Sequence, residues 1–218
     1  MESDFWHSRW RDNAIPFHKQ RVNYYLERYF HLLEVGDGDD VLVPLCGKSV
    51  DMGWLREKGC TVTGVELSDI AVSDFFTEQG IAAAKRAAGA FEVTEGEGIT
   101  LMRGDIFALD AAHTAKTSAV YDRAALIALP DEMRARYVNH LHALIGPEVP
   151  TLLLTFEYPP QDIDGPPFSV GESQVRALYE GKRKVTRLET IDRMEDEARL
   201  VDRGVTELQE HAFLLTAL

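Results

Sequence analysis

Cysteine is scarce: Cys46 and Cys60 are the only two in 218 residues. They form no CxxC pair and no zinc-like spacing, which speaks against a disulfide scaffold and a structural zinc site. A single bridge between them is disfavoured in a reducing cytoplasm. No apolar stretch approaches the roughly 18 residues of a membrane-spanning helix. The N-terminus, Met1-Glu2-Ser3-Asp4-Phe5-Trp6, is not basic and leads into no signal-like apolar run, so a cytoplasmic location is expected. Positive charge is also short. Lys and Arg number 23 against 36 Asp and Glu, leaving a net charge of −13. A field of that sign repels nucleic acid phosphates and anionic lipid headgroups, which points instead to a small-molecule partner. The seven histidines are scattered. His140 and His142 lie two apart on a predicted helix, face different sides and cannot both grip one metal from it, so no metal site is expected. The acidic run Glu34, Asp37, Asp39, Asp40 lacks the spacing of a calcium loop. Repeats and low-complexity tracts are absent.

What is present is an ordinary globular share of apolar residues, 45%, in a chain long enough for one α/β domain over residues 1–218. Helix and strand patterns alternate along it, which predicts a mostly parallel sheet with helices on its faces. Val22, Tyr25, Leu26, Tyr29, Phe30 and Leu33 recur at helical spacing and Gly36 follows as a stop. A first strand runs from Val41 to Leu45, with Pro44 near its end because it has no N–H to give. Ser49 can cap a helix reaching about Gly59. Thr61 to Leu67 reads as a second strand, and Ser68 caps a helix with Val72, Phe75 and Phe76 on its buried stripe and Gly80 at its end. Ile99 to Met102 and Ser118 to Tyr121 read as strands. Pro130 with Asp131 and Glu132 opens a helix that Gly146-Pro147 closes. Thr151 to Phe156 is apolar enough to be a central strand. A loop rich in proline and glycine spans 158–171. A helix near Glu172 to Glu180 and two strands, Val185 to Ile191 and Thr206 to Thr216, complete the chain. The absence of a helix between these last two predicts an antiparallel pair.

In an open α/β sheet, ligands bind at the carboxyl ends of the strands. Four segments converge there: Leu45-Cys46-Gly47-Lys48, Glu66-Leu67-Ser68, Asp105-Ile106-Phe107 and Asp122-Arg123. Glu66 follows the first turn by about 20 positions, the place of the carboxylate that takes both ribose hydroxyls of an adenosine cofactor. Two O–H donors match two carboxylate oxygens; a surface Glu at a strand end is the plainer alternative. The first turn has Gly47 but not G-x-G-x-x-G, so it does not suit a pyrophosphate. Leu42 stands where a P-loop needs its first glycine. S-adenosylmethionine has no pyrophosphate and fits such a turn. Asp105 either accepts from an adenine amino group or serves as a turn aspartate. Arg123 either holds the cofactor carboxylate or the substrate, or pairs with Asp122.

The pieces Phe5-Trp6 with Trp10, Phe17-His18, Val43-Pro44-Leu45-Cys46-Gly47-Lys48-Ser49, Gly64-Val65-Glu66-Leu67-Ser68, Phe75-Phe76-Thr77-Glu78-Gln79, Asp122-Arg123 and Gly165-Pro166-Pro167-Phe168 run in one order along nearly the whole chain. Together they resemble the thiopurine S-methyltransferase family, in its bacterial branch. The resemblance implies a Rossmann-like S-adenosylmethionine-dependent methyltransferase fold with a seven-stranded, mostly parallel sheet and an antiparallel last strand. It implies S-adenosyl-L-methionine against Trp10, Leu45, Glu66 and Arg123, with Trp6, Gly47 and Ile106 nearby and Phe17 facing donor and acceptor. Asp105 departs from the small polar residue of the vertebrate members, so its adenine contact rests on general methyltransferase logic. Residues 1–35 would form a lid and helix, with Trp6, Trp10 and Phe17 either closing over the site or packing into the core, and 158–171 a substrate loop. The expected acceptors are aromatic and heterocyclic thiols including thiopurines, taken up by a monomer that binds neither nucleic acid nor membrane. No general base is identified, and catalysis would be positioning by Phe17 and Arg123. Selenium or tellurium compounds, halides, or a non-catalytic cofactor-binding role are the alternatives.

Overall fold

The structure, a computed structural model, describes residues 3–218. Met1 and Glu2, part of the expected N-terminal segment, lie outside the described residues. The chain forms two compact units, one ending at Tyr121 and the other spanning Asp122–Leu218.

The first unit opens with α1 (Ser3–Arg11) and α2 (Tyr24–Tyr29), which runs into a 3-10 turn at Phe30–Leu33. Asn23 caps α2 by accepting the Tyr25 N–H, and Glu34 at φ 53° ends the 3-10 turn. The single helix expected over this stretch is therefore shorter and tightens at its end. Then follow β1 (Asp40–Pro44), α3 (Asp51–Glu57), β2 (Thr61–Glu66), α4 (Asp69–Glu78), β3 (Ala84–Ala88), β4 (Phe91–Gly96), β5 (Ile99–Arg103) and β6 (Thr117–Arg123), whose last two residues begin the second unit. Strand β1 lies between β2 and β6, parallel to both, and every one of its residues is buried. That matches the continuous apolar run of a strand covered on both faces. Strand β5 pairs parallel with β2, which gives the order β3-β4-β5-β2-β1-β6 in this unit. Ser68 caps α4 as expected, accepting the Ala71 N–H at 3.3 Å. Helix α3 starts later than Ser49, whose hydroxyl accepts the Asp51 N–H at 3.3 Å.

The second unit holds α5 (Ala125–Ala128), α6 (Asp131–Leu144), β7 (Thr151–Glu157), α7 (Glu172–Tyr179), β8 (Lys184–Asp192), α8 (Ala198–Asp202) and β9 (Gln209–Thr216). Strand β9 pairs antiparallel with both β7 and β8. The predicted antiparallel pair is present, with β8 at the edge and irregular between Arg187 and Glu189. The 158–171 loop is tied to its surroundings. The Tyr158 hydroxyl donates to the Pro167 carbonyl at 2.6 Å, Ser169 bonds both backbone groups of Tyr158, and the Phe168 N–H donates to the Ile127 carbonyl at 2.7 Å.

The α/β class and mostly parallel central strands agree with the sequence, but the strand count does not: the described residues form nine strands rather than seven. The additional pair is β3–β4, continued antiparallel into β5. Its outer strand, Ala84-Lys85-Arg86-Ala87-Ala88, is almost wholly exposed. It has neither the β-branched residues nor the apolar alternation that mark a strand. What holds it is turn geometry. Gly89 at φ 60° follows β3, and Glu97-Gly98 at φ 47° and 81° joins β4 to β5. Two consecutive positive-φ residues match the twist of a hairpin.

Candidate active site

The parallel strands of the first unit all end on one edge, and β1 has its neighbours β2 and β6 on opposite sides. The chain goes from β1 to β2 on one side and later crosses from β5 to β6 on the other, and that reversal opens a crevice beyond the strand ends.

The turn after β1 fills that crevice with backbone. Leu45 sits at φ 48° and Gly47 at φ 54°. A leucine in the left-handed region costs about 1–2 kcal/mol, so the surroundings must hold it there. The Cys46 N–H donates to the Val65 carbonyl at 3.0 Å, extending the β1–β2 ladder past Pro44. Beneath the turn the packing is tight: a Cβ on Gly64 would stand 2.8 Å from Cys46 Sγ and 2.5 Å from Leu101 Cδ2. Cys46 and Cys60 are both buried free thiols.

Glu66 is the node of this edge. Its side chain is buried, with Oε2 accepting the Gly47 N–H at 3.0 Å and Oε1 accepting the Ser68 N–H at 2.8 Å. Its carbonyl accepts the Gly104 N–H at 2.9 Å. One residue therefore joins the turns after β1, β2 and β5. Burial pushes its carboxyl pKa up, while the amides of Ser68, Gly47 and Leu67 pull it back down. Two amide donors still leave lone pairs on both oxygens.

Asp105 and Ile106 follow β5. Asp105 is exposed, and its Oδ1 accepts the Phe107 N–H at 3.0 Å, capping the 3-10 turn Ile106–Ala108. This is the turn-aspartate geometry, with Ile106 buried behind it.

The N-terminal aromatics come together. Phe17 meets Trp6 edge-on at 5.8 Å between centroids and Trp10 at 5.6 Å. The turn after α1 brings Phe17 back: Asn13 takes φ 51°, and the His18 N–H donates to the Ile15 carbonyl. Trp10 is buried, and its ring lies against Gly47, where an added Cβ would be 3.2 Å from Cζ2. Trp6 and Phe17 remain half-buried. The aromatic cluster thus joins the first turn and Glu66 in one locality. Arg123, the last residue of β6, is half-buried in the second unit and acts electrostatically on Glu210.

Two residues that support the site carry no such role in the sequence reading. Lys48 is buried, and its Nζ donates to Glu78 at 2.7 Å and Asp74 at 3.1 Å on α4. It fastens the turn to the helix. The sequence shows the acidic pair one helical turn apart on α4 but not that Lys48 is its partner. Asp51, fully buried, accepts the Asn23 N–H and the Tyr121 hydroxyl, each at 2.9 Å, and anchors the start of α2 to β6.

A buried carboxylate thus stands at the second strand's end, beside a first turn that carries one glycine. Solved structures share the fold. A 1,6-didemethyltoxoflavin-N1-methyltransferase from Burkholderia thailandensis superposes with a TM-score of 0.62 at 16% identity, covering 98% of this chain and 87% of that one. A magnesium protoporphyrin IX methyltransferase from Synechocystis PCC 6803 gives a TM-score of 0.62 at 14% identity, covering 99% and 97%. Both of those structures hold S-adenosylhomocysteine. The chain has the fold of the S-adenosylmethionine-dependent methyltransferases.

The sequence profile described as "Thiopurine S-methyltransferase (TPMT)" matches residues 1–217. A thiopurine S-methyltransferase from Pseudomonas entomophila is 48% identical, covering 99% of this chain and all of that one. Its counterpart from Nitrosospira multiformis is 44% identical, covering 99% and 98%. The chain belongs to the thiopurine S-methyltransferase family.

Proposed function

We propose that this protein moves the methyl group of S-adenosylmethionine to the sulfur of an aromatic or heterocyclic thiol, thiopurines among them. It would act as a cytoplasmic monomer whose two units work as one domain. The observation that carries this reading is the aromatic cluster of Trp6, Trp10 and Phe17 set against Gly47 in the turn that Glu66 holds.

The residues present fit the methyl donor. Glu66 is buried at the strand end with acceptor capacity for two ribose hydroxyls, and its charge makes those bonds strong. Leu45 and Gly47 shape the turn beside it, and Ile106 offers an apolar wall for adenine. Asp105 is proposed for the adenine amino group through the oxygen that does not cap the turn. Arg123 is proposed for the donor's carboxylate or the acceptor. When bound, S-adenosylmethionine supplies a methyl already activated by sulfonium charge, which a thiolate sulfur takes in one displacement, leaving S-adenosylhomocysteine and a methyl thioether.

The chain's own part is positioning and the exclusion of water. Heteroaromatic thiols ionise near neutral pH, so no strong base is needed. Orienting two reactants can contribute roughly 7–11 kcal/mol in favourable cases. The faces of Trp6 and Trp10 favour a cation, and the half-buried edge of Phe17 suits a flat acceptor. The test is a methyl-transfer assay with labelled donor against 6-mercaptopurine, thiophenols, phenols and selenite. Transfer to the heteroaromatic and aromatic thiols supports the reading. Tight donor binding with transfer only to selenite or phenols overturns the acceptor assignment. Among the described residues, no helix is long and apolar enough to cross a membrane.

A further inference from the structure

The mechanism above leaves one buried carboxylate without a task. Asp122 precedes Arg123 at the end of β6 and is almost completely sealed from solvent. Its side chain is turned into the fold rather than toward solvent. A buried charge without a purpose is costly, and replacement by an apolar side chain is often neutral or better.

Its partners show what it does. Oδ2 accepts the Tyr137 hydroxyl from α6 at 2.7 Å. Oδ1 is buried and meets no partner at full hydrogen-bonding geometry among the described residues. The amides of Leu126 and Ala125, at the start of α5, nonetheless act on the carboxylate and lower its pKa against the larger effect of burial. Burial, with Asp122 nearby, pushes the Tyr137 and Tyr179 hydroxyls up, so both stay protonated and Tyr137 remains a donor. Between the strand and these amides stands Ala124 at φ 68°, a left-handed conformation that alanine rarely adopts. The carboxylate thus ties the strand end to α6 through Tyr137, and Arg123 lies between that bond and the strained Ala124. Successive side chains of a strand point to opposite faces. With Asp122 fixed against α6, Arg123 is directed to the other face.

We infer that Asp122 is a positioning residue for methyl transfer, locking the Ala124 turn so that Arg123 is held in its working orientation. This rests on the role proposed for Arg123. Asn keeps the size of Asp122 but loses the charge that strengthens the hydrogen bond from the Tyr137 hydroxyl.

The test is a double-mutant cycle read as kcat/KM for thiol methylation, with the Kd of S-adenosylhomocysteine measured alongside. The expected result is that Asp122→Asn lowers kcat/KM by at least about 10-fold in the native background but by less than about threefold when Arg123 is already Ala. Equal losses in both backgrounds would show a general structural role and overturn the inference. If Asp122→Asn does not fold, Tyr137→Phe takes its place, because it removes the hydrogen bond to α6 and keeps the carboxylate; its loss must likewise shrink in the Arg123→Ala background, and an equal loss overturns the inference. An Arg123→Ala protein with native kcat/KM would instead sink the role of Arg123, and this inference with it.

Discussion

Replacing Glu66 by Gln separates two roles that the structure gives to one side chain. In the free protein the two carboxylate oxygens each accept a backbone amide, from Gly47 at 3.0 Å and Ser68 at 2.8 Å. Glutamine has the same shape but only one acceptor oxygen, so its amide nitrogen must face one of those N–H groups. A buried donor left unsatisfied costs about 1–3 kcal/mol. For a chain of this length that is a fall in Tm of roughly 3–10 °C. If Glu66 also holds the ribose, losing a charged acceptor there removes about 1.5–3 kcal/mol of binding, or roughly 10- to 100-fold in Kd. Glu66→Ala should reach the same range. Calorimetric titration with S-adenosylhomocysteine reads the second effect and thermal unfolding the first. A variant that melts earlier yet binds with native affinity would refute the cofactor role and leave Glu66 as a staple between turns.

Phe17→Ala should lower turnover with a thiol more than it weakens cofactor binding, because Phe17 packs on Trp6 and Trp10 while Trp10 is the ring beside Gly47; steady-state kinetics beside calorimetry shows which falls, and the reverse order removes Phe17 from the acceptor side. Lys48→Met should destabilise the fold by about 1 kcal/mol, since its carboxylate partners are half-exposed and screened, while S-adenosylhomocysteine affinity stays within about threefold; denaturant unfolding and calorimetry decide, and a large affinity loss would place Lys48 in the site itself. Burial raises the Asp122 carboxyl from 3.8 to about 6. The folded state then holds a proton that the unfolded state has released, so this group's contribution to stability falls as pH rises from about 4 to about 6, by about 3 kcal/mol in all. Asp122→Asn should flatten that part of the stability profile, and unfolding curves of both proteins across pH 4–7 that stay parallel would contradict it.

The residues proposed for the chemistry can be picked out in the sequence because that chemistry demands type and spacing together. Glu66 stands about 20 positions past the first turn, and a turn with a single glycine does not suit a pyrophosphate. The structure adds why Gly47 is needed: it takes φ 54° and lies under the Trp10 ring. What was not legible came from tertiary context. Ala84–Ala88 becomes a strand only because β4 offers it an edge, and nothing in its own residues favours one. The helix after Asn23 breaks into a 3-10 turn although the apolar stripe continues to Leu33, because periodicity reports the face and not the hydrogen-bond register. Lys48 lies beside Gly47 in a motif that suggests ligand contact, and yet its ammonium turns away to α4. Asp105 remained open between two roles in the sequence. Its cap on Phe107 shows one of them, and the other is left to its second oxygen.

The central claim is that the turns joined by Glu66, under Trp10 and Phe17, form the methyl-donor site. A crystal structure with S-adenosylhomocysteine and 6-mercaptopurine tests it most directly. The ribose hydroxyls are expected on Glu66, the homocysteine end against Leu45 and Gly47, adenine beside Ile106, and the thiopurine sulfur facing the donor sulfur next to Phe17. A nucleoside bound away from Glu66, or a thiopurine remote from Phe17, would contradict it.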